Sequence, residues 1–362
     1  MSSLIFPFDK KNLKDFFSIE FLIVITSSIP SAIIADFLKI PLAWMIGPMF
    51  ATSILSLYGI SIKVPKILFS FILLILSLHI GSYIDLNLFD QIYNWIWTTI
   101  IMFFYILVSI FFVSKYLQKF SNYSKQTSIF SAAPGALGPL IIIAEYEKTD
   151  LSQVATSHLI RLFVIITILP FIINHIAAQD VSIIEQVDQI SNSHFELVIL
   201  FFCSFVVVLF FDKLKIPATL LSGSLVSTGF LKITGIASYN FSNDIINICL
   251  LVVGSSVGCR FAGKSVKDIT NNLFHGLVST IILIVLGLIA AFIATFFVEN
   301  NFLTLLLSFC PGGIYEIAVI AITFNLEPEF VAFHHVIRLL FIVFTIPILL
   351  KILKKMKILK YD

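Results

Sequence analysis

The feature that most limits what this chain can fold into is the length of its apolar runs: window after window of about 20 residues carries almost no charge. A helix of that length measures about 30 Å, the thickness of a bilayer's hydrocarbon core. Only 12% of the 362 residues are charged and 59% are apolar, against about a quarter charged in an ordinary soluble domain. A water-soluble fold of this composition has too little polar surface to cover itself, so lipid is the solvent for most of the chain. Inside lipid every backbone N–H and C=O must be bonded internally, which leaves helices or closed barrels. The short alternating strands of a barrel are absent, and an all-α polytopic membrane protein follows.

The predicted segments are 17–38, 41–60, 65–84, 92–117, 127–145 and 151–176, then 195–211, 216–236, 243–262, 276–298, 302–324 and 328–351. A polar linker, 179–194, separates six from six, so the chain divides into a first membrane repeat over 1–178 and a second over 195–362. Lys10, Lys11 and Lys14 precede the first segment, which is too long for a signal-peptide core and is read as a retained span. Cys203, Cys249, Cys259 and Cys310 lie scattered in apolar segments without metal spacing and read as small core hydrophobes.

The halves also match residue by residue. Asp36, Lys39, Pro41, Gly47 and Gly59 recur 176 positions on as Asp212, Lys215, Pro217, Gly223 and Gly235. With one inserted residue, Pro134-Gly135 meets Pro311-Gly312, and His158, Arg161 and Pro170 meet His335, Arg338 and Pro347. Between 134 and 170 there are 12 identities in 37 ungapped positions, too many for shared apolar composition and enough to establish a duplication.

Loop charges predict how the copies are disposed. If all twelve segments cross, Lys213, Lys215, Arg260, Lys264 and Lys267 fall outside and the acidic linker with Asp180, Glu185 and Asp188 falls inside, against the positive-inside rule. If the Pro-Gly segment of each copy re-enters on its own side, the basic loops and both termini collect inside, leaving Lys39 and Lys232 outside with most acids. Five crossings plus one broken or re-entrant segment per copy is an odd number of crossings, so the expectation is two inverted repeats.

The Pro-Gly segments carry the chemistry. Proline removes a donor and glycine takes conformations a helix cannot hold, so 127–145 and 302–324 are expected to break at Pro134-Gly135 and at Pro311-Gly312-Gly313. A kink in a continuous span is the plainer alternative. Broken segments at matched positions are the mark of inverted-repeat transporters, whose half-helix ends face a midplane site. Arg161 and Arg338, two of only three arginines, lie deep in apolar helices with His158 and His335 three residues before them on the same face. A buried guanidinium either bridges carbonyls or an acid, or clamps an anionic solute bidentately. Glu316 is the one carboxylate well inside an apolar segment, and either neutralises Arg338 or binds a coupling cation. The first copy has Pro139 at that place, so Arg161 has no matching acid. Asp36 with Lys39, and Asp212 with Lys215, read as surface helix pairs.

The run Lys39-Ile-Pro-Leu-Ala-Trp-Met-Ile-Gly-Pro48, with Pro311-Gly-Gly-Ile-Tyr-Glu316 and His334-His-Val-Ile-Arg338, resembles the AbrB-type duplicated membrane protein family over nearly the whole chain. Members carry conflicting labels, as transporters, regulators of gene expression or ammonia monooxygenases, so the resemblance implies a fold before a function. The family's first motif typically repeats the second, with Pro-Gly-Gly and an acid soon after. Here it reads Pro134-Gly135-Ala136 with Gly138-Pro139, so a symmetrical two-acid site is not expected.

A copper or iron oxygenase needs several converging His or carboxylate ligands, and the candidates His158, His334, His335 and Glu316 lie beside two arginines that would repel the cation. A regulator would present a soluble surface, which the linker is too short to form. No phosphate-binding loop of the G-x-x-x-x-G-K type is present. The expectation is therefore a secondary transporter, not an enzyme, moving a small anionic or carboxylate-bearing solute by alternating access and coupled to protons or sodium. An indirect effect on gene expression is the runner-up. No cofactor and no nucleic-acid partner are expected, assembly with further copies is left open, and the inner membrane of a bacterial-type cell, with both termini cytoplasmic, is the expected location.

Overall fold

A computed structural model describes residues 14–84, 88–147, 149–177, 193–216, 218–264 and 266–356. Lys10, Lys11, Asp85, Pro217, Lys357, Lys360 and linker residues 179–192 lie outside the described residues. The described chain is helical throughout: α1 (Ile19–Phe37), α2 (Ala43–Leu57), α3 (Lys66–Gly81), α4 (Leu88–Phe120), α5 (Lys125–Ala132), α6 (Leu137–Tyr146), α7 (Leu151–Ala177), α8 (His194–Lys213), α9 (Thr219–Ile233), α10 (Asn243–Cys259), α11 (Val266–Ala294), α12 (Phe302–Phe309), α13 (Ile314–Thr323) and α14 (Pro328–Lys355). Each Pro-Gly segment is two half-helices, α5/α6 and α12/α13, so twelve predicted segments become fourteen helices among the described residues.

Among the described residues six helices are long and apolar enough to cross a bilayer, and they fall at matching places: α1, α4 and α7 in the first copy, α8, α11 and α14 in the second. This is a multi-pass membrane protein. The helices α2, α3, α9 and α10 have only 15 to 17 residues, or about 22–26 Å, less than the apolar windows that foretold them. Left-handed residues bound α2 and α9: Lys39 and Leu42 precede α2 as Lys215 and Ala218 precede α9, all with φ between 53 and 56°, and Gly59 and Gly235 follow at φ 81 and 69°.

Lys39 and Lys215 therefore do not sit on a helix surface facing Asp36 and Asp212, as the sequence spacing suggested. Each closes the helix before it: Lys39 N–H donates to Asp36 O and Ile40 N–H to Ala35 O, and Lys215 and Ile216 repeat the pair on Asp212 O and Phe211 O. That is a Schellman stop, whose left-handed position normally takes glycine. Both lysines are exposed, so Lys39→Gly and Lys215→Gly are each expected to stabilise the fold by about 0.5–1 kcal/mol, read as a raised midpoint of thermal unfolding in detergent.

By its internal contacts the chain forms two compact units, and neither is one of the sequence copies. The first takes Met1–Asp90, Leu169–Ser265 and Ala318–Glu329, and the second Gln91–Ile168, Val266–Ile317 and Phe330–Asp362.

In the first unit α10 crosses α2 at the closest approach. Its Gly254-Ser-Ser-Val-Gly258 run has the glycine spacing that lets membrane helices touch backbone to backbone. A methyl group on Gly254 would overlap the carbonyl of Met45, and one on Gly258 would overlap Thr52 Oγ1. Across the crossing Ser56 Oγ donates to Gly258 O at 3.1 Å, and Ser28 of α1 reaches α10 with its Oγ 2.7 Å from Ser255 Oγ. The same contact is made again with the copies exchanged. Gly81 of α3 is the first copy's counterpart of Gly258, and Thr228 of α9 is the second copy's counterpart of Thr52. These two face each other, with a built Cβ on Gly81 2.6 Å from the Thr228 Cβ.

In the second unit α5 and α6 form a hairpin. Past the end of α6, Asp150 N–H donates to Thr127 Oγ1 in the first turn of α5, at 3.3 Å. Lys354 near the end of α14 pairs with Glu147 at 2.6 Å. Tyr123, just before α5, donates to Asn272 Oδ1 at 2.7 Å. Burial, with Asp150 nearby, pushes its phenol up to about 12, so that proton stays in place at neutral pH. The loops on either side of segment 127–145 thus lie together, and the segment turns back at its Pro-Gly break, as the loop charges required.

Candidate functional site

Every residue singled out at the breaks belongs to the second unit. Each break opens with a tight turn on proline: Gly135 N–H donates to Ala133 O across Pro134, and Gly312 N–H to Cys310 O across Pro311, both at 2.9 Å. A three-residue turn of this kind suits proline's fixed φ. Beyond it the copies differ. Gly135 (φ 116°) and Ala136 (φ 62°) are both left-handed, whereas the second break goes straight into α13.

The turns leave helix-end carbonyls without helical partners, deep in the protein. The His and Arg of the following long helix satisfy them: the His bonds and the Arg Nη1 bonds match between the copies, while Nη2 turns to a carbonyl before the first break and to one beyond Pro311 at the second. On α7, His158 Nε2 donates to Phe130 O (3.0 Å), and Arg161 donates from Nη1 to Ala133 O (2.5 Å) and from Nη2 to Ser131 O (2.6 Å). On α14, His335 Nε2 donates to Leu307 O (2.9 Å), while Arg338 donates from Nη1 to Cys310 O and from Nη2 to Gly312 O (2.6 Å). His335 Nδ1 accepts from Arg338 Nη2 at 3.1 Å, which fixes the neutral Nε2–H tautomer. All four side chains are buried, with 5% exposure or less. Of the two roles open to a buried arginine, bridging carbonyls is the one these bonds realise. It also places each cation at the negative end of α5 or α12.

The two breaks approach one another. A Cβ on Gly135 would stand 3.0 Å from Nη2 of Arg338, so the first break lies against the arginine that caps the second. Arg161, Arg338 and the buried Tyr105 are all within electrostatic reach of one another. Two guanidinium charges in a dry interior repel unless negative charge or dipole answers them.

Glu316 is 3% exposed in the first turn of α13. Its carboxylate folds back over Gly313 so closely that a Cβ there would overlap Oε2. That placement sets a carboxyl group over the positive end of α13 and explains why position 313 is glycine. The first copy has no counterpart: α6 begins Leu137-Gly138-Pro139 after Ala136. At this break, moreover, polar atoms remain unclaimed. Buried Nε of Arg161 and buried Oγ of Ser131 and Ser157 make no hydrogen bond with the protein. Nε shares an edge of the guanidinium with Nη2, the group bonded at Ser131, and Ser157 lies one turn before Arg161 on the same face of α7.

Sequence reasoning named Pro134, Gly135, His158, Arg161, Pro311, Gly312, Gly313, Glu316, His335 and Arg338, and the fold gathers them in one unit. It missed Ser131, Ser157 and Tyr105. The four-residue spacing from Ser157 to Arg161 was the available signal. His334, weighed as a metal ligand, packs instead among Trp95, Phe330 and Phe333, with Thr98 Oγ1 2.7 Å from its Nε2.

No solved structure matches this chain. An uncharacterized protein, YhjN of Bacillus subtilis (strain 168), is 24% identical over 291 residues, which cover 76% of this chain and 75% of that protein. The profile of the family described as transition state regulatory protein AbrB matches residues 15–354. With the match running from before α1 to the last turn of α14, the chain belongs to the AbrB family.

Proposed function

We propose that this protein is a secondary transporter of a small anionic or carboxylate-bearing solute, working by alternating access with protons or sodium as the coupling ion. The observation that carries the reading is the asymmetry of the two breaks. At the second, the protein's own carboxylate, Glu316, stands over the positive end of a half-helix. At the first, arginine and hydroxyl donors stand unclaimed and no side-chain acid is in place. A carboxylate arriving from solution would complete at the first break what Glu316 completes at the second. It would also relieve the repulsion between Arg161 and Arg338. Broken half-helices with ends aimed into a membrane protein's interior suit this task in secondary transporters, and Glu316 is the group available to exchange a coupling cation.

The test is uptake into proteoliposomes of a panel of small carboxylates (acetate, succinate, citrate, glutamate) under an imposed pH or sodium gradient. Gradient-dependent accumulation of at least one is expected, and none under either gradient would sink the proposal. For a carried solute, Ser131→Ala and Ser157→Ala delete hydroxyls that bond nothing in the protein, so stability should hold while KM rises about fivefold for each. An unchanged KM in both variants would remove the solute from the first break.

A further inference from the structure

The second unit carries a groove of about 530 Å³ between α4, α5 and α14, away from the breaks. Its walls are apolar at one end and cationic at the other. Leu107, Ile110 and Phe111 of α4, facing Leu349 of α14, line the apolar part. A turn or two further along α4 come Ser114, Lys115 and Gln118, joined by Lys125 from the first turn of α5. From 107 to 118 the groove runs about 16 Å along the helix. Lys115 and Lys125 are exposed, none of the ten lining residues is acidic, and the Lys115 ammonium is held 4.2 Å above the Phe111 ring at the junction of the two parts. Both α4 and α14 are long and apolar enough to cross the bilayer, so the apolar part opens on lipid chains and the cationic part on headgroups.

We propose that this groove is a binding site for one anionic phospholipid, its phosphate between Lys115 and Lys125 and an acyl chain along Leu107, Phe111 and Leu349. The charge gradient selects the occupant. A free solute anion would have no use for so long an apolar wall, and a zwitterionic lipid would bring a choline or amine against two ammonium groups. Basic residues at a helix end beside an apolar cleft are the usual recognition of acidic headgroups.

The experiment is native mass spectrometry of delipidated protein titrated with phosphatidylglycerol and with phosphatidylcholine of the same chains. One phosphatidylglycerol per chain is expected to bind in preference to phosphatidylcholine. The double variant Lys115→Gln/Lys125→Gln should lose about thirtyfold of that affinity, or about five- to sixfold per lysine near a headgroup, with phosphatidylcholine binding unchanged. Lys119→Gln, on the same helix but outside the groove, should behave as the unaltered protein. Equal affinity for the two lipids, a double variant that binds phosphatidylglycerol undiminished, or full displacement by equimolar inorganic phosphate would each overturn the assignment.

Discussion

Gly254→Val is expected to keep the protein from accumulating in the membrane, read as loss of the monodisperse peak when a fluorescent fusion is run on a sizing column. The valine side chain would need the space held by the backbone carbonyl of Met45, and backbone does not rotate aside as a side-chain tip does. The helices α2 and α10 must then separate, and two bonds go with them: Thr52 Oγ1 to Ser255 O at 3.2 Å, and Ser56 to Gly258 O. Overpacking costs typically 1–3 kcal/mol, and the two lost bonds add about 1 kcal/mol each, for about 3–5 kcal/mol altogether. A loss of this size consumes much of a protein's net stability. Gly138→Ala is the control, because nothing lies within 4 Å of its built Cβ. A Gly254→Val variant that accumulates and runs like the unaltered protein would show the crossing to be looser than described.

The second large effect concerns Arg338. Were Arg338 only a clamp for an anionic solute, its replacement by glutamine would stop uptake and leave the fold intact. Its bonds to Cys310 O, Gly312 O and His335 Nδ1 change that expectation. Glutamine is shorter and uncharged and cannot bridge the two carbonyls, so two strong acceptors are left buried at the end of α12. Losing hydrogen bonds to a charged group costs about 1.5–3 kcal/mol each. A fall of about 3–5 kcal/mol in unfolding free energy is expected for Arg338→Gln, measured by denaturant titration in detergent, with lost uptake following from it. Lysine keeps the charge but not the planar fork and should recover less than half of the loss. Stability within about 1 kcal/mol of the unaltered protein in Arg338→Gln would mean that the carbonyls find other donors, and the capping role would fall.

The long apolar windows, the Pro-Gly breaks and the matched arginines were legible because each is a departure from what lipid tolerates, and departures show against a uniform background. The bonds of the arginines were not legible. Whether a buried guanidinium meets a carbonyl or a solute depends on where a turn leaves its acceptors, and nothing in the residue types at 131 and 133 announces that. The hairpin of α5 and α6 was reached indirectly, by counting lysines in loops, and is visible directly in the bond from Asp150 to Thr127. Lys39 and Lys215 misled for a definite reason. Three-residue spacing implies a shared helix face only while the helix continues, and a lysine in the left-handed region marks its end as a glycine would. The reciprocal Gly-Thr contacts escaped because Gly81 and Gly258 match at one offset and Thr52 and Thr228 at another, with the one-residue insertion lying between them.

That reciprocity has a bearing on descent. A contact made twice with the partners' roles exchanged is the contact a half-length chain makes with a second copy of itself about a two-fold axis. One ancestral surface, bearing a threonine on one helix and a glycine on the next, would have sufficed to pair two separate subunits. Joining such subunits in one polypeptide would free the two surfaces to differ, and they do at one place: where the second copy has Gly254, the first has Ser77, whose hydroxyl is satisfied within its own helix by the carbonyl of Leu73.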